Sequence, residues 1–310
     1  MRPVEYLASL FRWFSFSIIG VFSFVMIVDP YGLHQWHSSP ISPEKFSIKF
    51  HERIIKPLQF ILRDPRIVNF GSSRAAVGID PVDMQLQSGF KAYNFGITGA
   101  HIDETAVSVR HAILSGDVEA IIVGLDYSAF TSINPDGATE AGWVIDGGTL
   151  DQLSTVAEIS ISLNALWDAL STMIKNLRGI QGVYRLDGLF SGYQPTKGPI
   201  REYPTEAREP LEQAFKSYKL ILQVAKAHDT SVYLYISPVY GREHISQPNY
   251  EVWARRIEDI AMSFGLKVLR PDLDEMVTMD KNNFVDSSHF NTAVGSFILK
   301  SLFRIDRVDS

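Results

Sequence analysis

Five short, largely apolar runs constrain the fold of this chain more than any other feature of its sequence. Each run is too short for a helix, and its apolar residues follow one another instead of alternating with polar ones. Such runs are typical of strands in a sheet that is covered by helices on both faces. The runs are Ile67–Phe70, Ala92–Phe95, Ala120–Leu125, Val232–Ile236 and Leu266–Leu269.

Segments with helical periodicity accompany these runs, and their apolar residues recur every three or four positions. We interpret each apolar face as a surface that packs on the core. The alternation of strand and helix predicts right-handed crossovers, a parallel sheet and therefore a three-layer α/β/α sandwich. The segments are Pro43–Leu62, Ile102–Ile113, Leu211–Ala225, Tyr250–Phe264 and Val294–Leu302.

Residues 127–209 do not follow this alternation, and we interpret them as an insertion after the third strand. They contain one predicted helix, over Leu153–Leu177, between glycine-rich loops. Ligands of α/β proteins bind beyond the carboxyl ends of the strands, so an insertion at this end can form a cap or a substrate platform. The alternative is a decoration on the solvent side.

The N-terminal segment Leu7–Val28 is apolar, and its length just suffices to span a membrane. Arg2 and Arg12 lie at its N-terminal end and Asp29 follows it, so the positive-inside rule places the rest of the chain outside the cytoplasm. We expect a single-pass anchor in the inner membrane with a periplasmic domain. A cleaved signal peptide and a buried helix are the alternatives, but no small-residue cleavage site follows the apolar run.

These patterns divide the chain into three parts. We predict a membrane anchor over residues 1–30 and a juxtamembrane linker with a helix over 31–65. The folded domain is predicted over 66–310 and includes the insertion.

The composition excludes several classes of function. The 310 residues carry a formal net charge of −6 and no long basic run, which argues against nucleic acid as a partner. There is no cysteine, so disulfides, cysteine-based metal sites and a thiol nucleophile are excluded. No phosphate-binding GxxxxGK[ST] loop occurs, and His34 and His37 have no acidic cluster at ligand spacing. We therefore expect neither a cofactor nor a metal.

Two motifs at opposite ends of the domain carry residues suited to nucleophilic catalysis. In Gly71-Ser72-Ser73, the glycine permits a tight turn after the first strand and places the serines at its carboxyl end. Asp286 and His289 precede the last helix at a spacing that lets the carboxylate orient the imidazole. Taken alone, each motif can also be a helix cap, with the histidine packed beside it.

Other candidate residues follow the remaining strands. Gly99, after the second strand, can offer an unhindered backbone N–H at the same edge of the sheet, and Asp126 ends the third strand. Arg74 can pair with Asp126 or bind a substrate anion; the alternative is a purely structural ion pair. Tyr240 and Arg242, after the fourth strand, can contact a sugar or phosphate, or belong to an ordinary loop.

The order of these motifs resembles the sequence blocks of the SGNH (GDSL-like) hydrolase superfamily. The family's nucleophilic serine falls at Ser73, its oxyanion glycine at Gly99, and its D-x-x-H block at Asp286 and His289. The resemblance runs from residue 66 into the last predicted helix, and no motif covers the insertion. It implies a flavodoxin-like five-stranded sheet and a Ser-His-Asp triad that forms an acyl-enzyme.

The third block departs from the family pattern, because Asp126 stands where an asparagine donates a hydrogen bond to the oxyanion. An ionised carboxylate cannot donate, and the loss of one such donor typically lowers the rate by about 10²- to 10³-fold. We expect that Asp126 points elsewhere or that another donor replaces it; a protonated Asp126 or low activity are the alternatives. The resemblance thus assigns the oxyanion hole to the backbone of Ser73 and Gly99, with Asp126 at the third position.

The anchor, the Gly-Ser-Ser variant and the Asp29–Gly32 segment resemble membrane-tethered members of this superfamily. Those relatives act with membrane-bound O-acyltransferases on envelope polymers, as do alginate O-acetylation proteins and the teichoic-acid D-alanylation protein DltD. The resemblance implies acyl transfer, first of all acetyl transfer, to an exopolysaccharide or envelope glycan, with a membrane-bound O-acyltransferase as partner. An envelope esterase and a non-catalytic assembly subunit are the alternatives.

Overall fold

A computed structural model describes residues 3–34, 45–134, 149–180, 182–192, 199–202, 208–242, 244–246 and 248–309. The strands are β1 (Ile67–Phe70), β2 (Ala92–Asn94), β3 (Ala120–Leu125), β4 (Ser231–Ile236) and β5 (Val268–Leu269). The α-helices are α1 (Pro3–Val28), α2 (Glu52–Arg63), α3 (Ser73–Gly78), α4 (Pro81–Ser88), α5 (Ile102–Ser115), α6 (Thr149–Ile161), α7 (Leu163–Leu177), α8 (Glu212–Ala227), α9 (Pro248–Met262), α10 (Glu275–Thr278) and α11 (Thr292–Asp309). Short 3₁₀ helices cover Ser47–Phe50, Tyr127–Phe130, Pro271–Leu273 and Lys281–Asn283.

The strands form one parallel sheet in the order β2-β1-β3-β4-β5, which is the flavodoxin-like order. Phe70 of β1 pairs with Val123 of β3, and Leu125 of β3 pairs with Ile236 of β4. The carboxyl ends of the central strands therefore meet at one edge. The predicted α/β class and the five-stranded parallel sheet are confirmed.

Helices cover both faces of the sheet, which explains why the strands are largely apolar. On β3, Ile121 and Val123 pack in a core with α5, α8 and α9, whereas Ala120 and Ile122 pack with α4 and α11. Successive side chains of a strand point to opposite faces, so one strand contributes to both cores. The architecture is the predicted three-layer sandwich.

Two predicted helices are each divided in the structure. The first half of the segment predicted over 43–62 contains a 3₁₀ turn, and α2 begins only after His51; residues 43 and 44 lie outside the described residues. The helix predicted over 153–177 is interrupted at Ser162, whose hydroxyl accepts a hydrogen bond from the Ala165 N–H at 3.0 Å. Serine caps a new helix here, because its side chain replaces the missing backbone acceptor.

The N-terminal helix and the insertion form a third apolar cluster. Within α1, residues Glu5–Val28 are long and apolar enough to cross a membrane. Val25 and Val28, near its end, are buried in a cluster with Ala165 and Ala169 of α7. The described helices of the predicted insertion therefore pack beside α1. Residues 135–148, 181, 193–198 and 203–207 of that insertion lie outside the described residues.

Candidate active site

The loop between β1 and α3 carries the candidate nucleophile. Gly71 has φ +144°, and a side chain there would lie 2.9 Å from the carbonyl oxygen of Gly124, so the turn requires glycine. The Ser72 hydroxyl oxygen caps α3 by accepting a hydrogen bond from the Arg74 N–H at 3.2 Å. The capping role that the sequence allowed for either serine thus belongs to Ser72. Ser73 is the first residue of α3, at the carboxyl edge of the sheet.

The loop before α11 fixes the candidate base. The backbone N–H groups of Ser288 and His289 donate to Asp286 Oδ1 at 2.8 and 2.9 Å. Phe290 fills the space above Gly78, where an added Cβ would lie 1.9 Å from the ring. The backbone of His289 is therefore fixed on both sides, by the turn at Asp286 before it and by the packing of Phe290 after it.

Ser73, His289 and Asp286 lie in one hydrogen-bonded chain. Ser73 Oγ is 2.9 Å from His289 Nε2, and His289 Nδ1 is 2.8 Å from Asp286 Oδ2. An ionised carboxylate only accepts, so Nδ1 carries the proton and Nε2 accepts from the serine hydroxyl. This tautomer and orientation are those that a Ser-His-Asp triad requires for removal of the serine proton.

The environment of Asp286 keeps its carboxylate ionised. Burial alone would raise the pKa of Asp286. The hydrogen bond and charge of His289 and the hydrogen bonds from backbone N–H groups outweigh this effect and lower the pKa to about 2. The carboxylate therefore carries its negative charge at neutral pH. It can stabilise the imidazolium that forms when His289 takes a proton.

A cavity of about 350 Å³ opens beside Ser73. Gly99 and Arg74 line it, as do His101 and Ser128. Gly99 has φ +67°, a conformation that favours glycine. Within the described residues, no group of three or more His, Asp or Glu side chains is placed to hold a metal ion. The structure thus brings three predicted site residues, Ser73, Gly99 and Arg74, to one cavity wall.

Asp126 lies behind the nucleophile loop. Its carboxylate accepts a hydrogen bond from the Ser72 hydroxyl and lies 3.3 Å from Arg74 Nη1. Arg74 also donates its Nε–H to the carbonyl oxygen of Ser288 at 3.1 Å. The expected pairing of Asp126 with Arg74 is therefore present. As an acceptor, this carboxylate connects β3 to the loop of Ser72 and Ser73, and it does not supply the hydrogen-bond donor that an asparagine would offer at this position.

Replacing Asp126 with alanine is expected to lower the free energy of unfolding by about 3 kcal/mol, because Arg74 would lose the charge that compensates its own burial. Chemical denaturation of the single and double variants measures this loss. The double variant Asp126→Ala/Arg74→Met should lose less stability than the sum of the losses in the two single variants, because the two residues interact. Fully additive losses would show that the ion pair contributes nothing.

Tyr240 and Arg242 lie on the loop after β4, but their side chains are engaged elsewhere. The Tyr240 ring packs on Phe284 at 5.8 Å between centroids, and its N–H donates to the carbonyl oxygen of Ser287 at 3.0 Å. Arg242 pairs with Glu275. Among the described residues, neither of the two lines the cavity. The structure therefore does not support their predicted contact with substrate; Tyr240 instead supports the loop before α11.

Two buried charged residues of α2 support the loop between β2 and α5, which carries Gly99. Glu52 accepts from the Thr98 N–H at 2.5 Å and from its hydroxyl at 2.9 Å. Lys56 donates to the carbonyl oxygen of Asn94 at 3.1 Å, and burial lowers its pKa to about 8. Sequence analysis missed both, because a Glu and a Lys four residues apart are also the usual pattern of a solvated helix face.

Glu52→Gln is expected to lower kcat by about 10- to 100-fold with little change in KM. Glutamine keeps only one acceptor oxygen, so the loop of Gly99 would lose one of its two hydrogen bonds to this side chain and shift slightly. Steady-state kinetics with an acetyl ester measures the split between kcat and KM. Glu212→Gln is the matched control, since Glu212 lies exposed on α8 and pairs with Arg256. If Glu52→Gln and Glu212→Gln had the same kcat and KM, Glu52 would have no role in positioning the loop of Gly99.

Comparison with known proteins adds a distant likeness. No protein-family model matches the chain, and no curated protein matches it. Among solved structures, a Streptococcus pneumonia protein that is provisionally described as a platelet activating factor is similar, with 14% identity and a TM-score of 0.43. The likeness covers 84% of this chain and 91% of that one. The assignment of the site therefore rests on the geometry of its own residues.

Proposed function

We propose that this chain is a membrane-anchored serine acyltransferase that carries an acyl group, acetyl in the first instance, on Ser73 and passes it to a hydroxyl of an extracytoplasmic glycan. The observation that carries the proposal is the hydrogen-bonded chain from Ser73 Oγ through His289 to Asp286. It lies beside an open cavity, so the serine hydroxyl is accessible to a small ester.

The reaction begins when Ser73 Oγ attacks the carbonyl carbon of the acyl donor and His289 Nε2 takes the hydroxyl proton. The bond to the donor's leaving oxygen then breaks, and that oxygen takes the proton from His289. In the second half, an acceptor hydroxyl gives its proton to His289 and attacks the acyl-enzyme. A new ester forms on the acceptor, and Ser73 regains its proton.

The negative charge that develops on the carbonyl oxygen needs hydrogen-bond donors. The backbone N–H groups of Ser73 and Gly99 are the proposed donors, because both residues border the cavity. Arg74 borders the cavity as well, and its Nη1 lies 3.3 Å from the Asp126 carboxylate. We assign Arg74 to contact with a substrate anion or a sugar oxygen.

The proposal includes the location and the partners of the protein. The apolar helix α1 is assigned as a single-pass anchor in the cytoplasmic membrane. Arg2 and Arg12 precede its apolar centre and Asp29 follows it, which supports an extracytoplasmic domain. A membrane-bound O-acyltransferase is the proposed partner that supplies the acyl group, and an exopolysaccharide or envelope glycan is the proposed acceptor.

Hydrolysis is the second candidate function, because the cavity volume of about 350 Å³ suits a small ester and water reaches an open site. The two activities differ in the fate of the acyl group. With an acetyl ester and an oligosaccharide acceptor, transfer predicts acetylated sugar in proportion to acceptor concentration. Hydrolysis predicts free acetate at a rate that is independent of the acceptor.

Covalent labelling tests the proposal against a non-catalytic role. A fluorophosphonate reacts with serine hydroxyls that a neighbouring base activates, so wild-type protein should be labelled once, at Ser73. Ser128→Ala is the matched control, because Ser128 lines the same cavity. Labelling should persist in Ser128→Ala and disappear in Ser73→Ala. Wild-type protein that remains unlabelled would favour a non-catalytic subunit.

A further inference from the structure

An apolar stripe runs along the surface of α7. Leu163, Trp167, Leu170, Ile174 and Leu177 are spaced by three or four residues, so they lie on one face of the helix. Leu170 is partly buried, and the other four are exposed. Contiguous apolar surface of this kind is rare on proteins that water surrounds on all sides.

The opposite face of α7 provides its contact with the protein. Ala165, Ala169 and Thr172 are fully buried and lie on the other side of the helix from the stripe. The helix therefore docks through small residues and directs its large apolar side chains outward. This arrangement is the reverse of a helix that covers an aqueous surface, where large apolar residues face the core.

The position of α7 on α1 indicates what covers the stripe. Residues 5–21 of α1 are largely exposed, as expected of helix surface that contacts lipid. The helix becomes buried only near Val25 and Val28, where it meets α7. The Tyr31 hydroxyl donates to Asp168 of α7 at 2.7 Å and fixes this junction. The face of α7 opposite the stripe is thus joined to the C-terminal end of α1.

We propose that α7 is an interfacial helix whose stripe is buried in the leaflet on the side of the folded domain. The occupant is lipid, because α7 packs on the C-terminal end of the helix that is assigned as the membrane anchor. Trp167 suits this depth, since the ring of tryptophan prefers the boundary between acyl chains and headgroups. The proposal rests on the assignment of α1 as a membrane anchor. Two attachment points would hold the domain at a fixed height and tilt above the bilayer.

The absence of cysteine makes a direct test straightforward, because single-cysteine variants of the full chain can carry one nitroxide label each. Leu163→Cys probes the stripe, and Met276→Cys is its matched control, since both side chains are 85% exposed. Ile19→Cys probes the exposed middle of α1. Each labelled protein is reconstituted in liposomes of phosphatidylcholine and phosphatidylglycerol. Power-saturation measurements then compare collisions of the label with oxygen and with a water-soluble nickel chelate.

The label at Leu163 is expected to collide more with oxygen than with the nickel chelate, as the label at Ile19 does, whereas the label at Met276 shows the reverse. A label at Leu163 that behaves like that at Met276 would overturn the proposal, because the stripe would then lie in water. A label shielded from both reagents would also overturn it and indicate a protein partner or a second copy. If the label at Ile19 lies in water, the anchor assignment itself fails.

Discussion

Replacing Ser73 with alanine is expected to lower kcat/KM for an acetyl ester such as p-nitrophenyl acetate by about 10⁴-fold or more. Alanine removes the oxygen that forms the covalent bond to the acyl group, so only water can attack the bound ester. The substitution deletes one partly exposed hydroxyl, whose partner in the structure is His289 Nε2. The fold should therefore be unchanged, which circular dichroism and thermal unfolding can verify.

The serine at position 128 provides the control for this experiment, because it lines the same cavity and also carries a hydroxyl. Ser128→Ala should retain most of the wild-type rate. If Ser73→Ala turned over the ester as fast as wild-type protein, Ser73 would have no part in the mechanism. The cavity would then have to be interpreted as a binding site.

Asp286→Asn is expected to lower kcat by about 10⁴-fold, because an amide no longer holds His289 in the tautomer that carries its proton on Nδ1. In wild-type protein the pKa of Asp286 lies at about 2, so the carboxylate stays ionised throughout the pH range of the assay. We therefore expect that protonation of Asp286 does not shape the wild-type pH–rate profile within that range. Stopped assays over a range of pH measure both effects.

Asp280→Asn makes the same chemical change on the same stretch of chain, away from the histidine. Its carboxylate accepts from the Asn282 N–H at 2.9 Å as the cap of a 3₁₀ turn, a role that asparagine also fills. This variant should keep wild-type activity. Similar losses in both variants would mean that the loop before α11 responds to charge in general, and that Asp286 has no special role.

The layered fold was predictable because its signal is local. Each strand corresponds to a short, largely apolar run in the sequence, and each covering helix to an apolar stripe with helical period. The order of the elements and the fold class follow directly from these patterns. The ends of individual helices were predicted less well. Ser162 interrupts what reads as one helix, because its capping hydrogen bond competes with the continuous apolar pattern on either side. The periodicity of apolar residues continues across Ser162 and therefore does not reveal that one helix ends and another begins there.

The position of the triad was predictable for a topological reason. The carboxyl ends of parallel strands share one edge, so a serine after β1 and a histidine loop beside that edge converge despite their separation in sequence. The contacts of side chains on the loops at this edge of the sheet were not predictable in the same way. Arg242 leaves the same strand end as Tyr240, yet it pairs with Glu275, whose position depends on loop geometry.

The support of the loop of Gly99 by α2 illustrates a further limit. Glu52 and Lys56 are separated from that loop by β1 and its following helices, and only the packing of α2 on the sheet brings them together. The sequence alone does not distinguish a buried charged residue from an exposed one. Its environment becomes visible only when the tertiary structure shows which polar groups it satisfies.

Trapping of an acyl-enzyme tests directly whether Ser73 carries the acyl group. Full-length protein is mixed briefly with an acetyl ester, quenched in acid, digested and analysed by mass spectrometry. We expect one acetyl group on the peptide that contains Ser73, its loss when a glycan acceptor is added before the quench, and its absence from Ser73→Ala. Turnover of the ester without an acetyl group on Ser73 at any time would rule out the proposed acyl-enzyme.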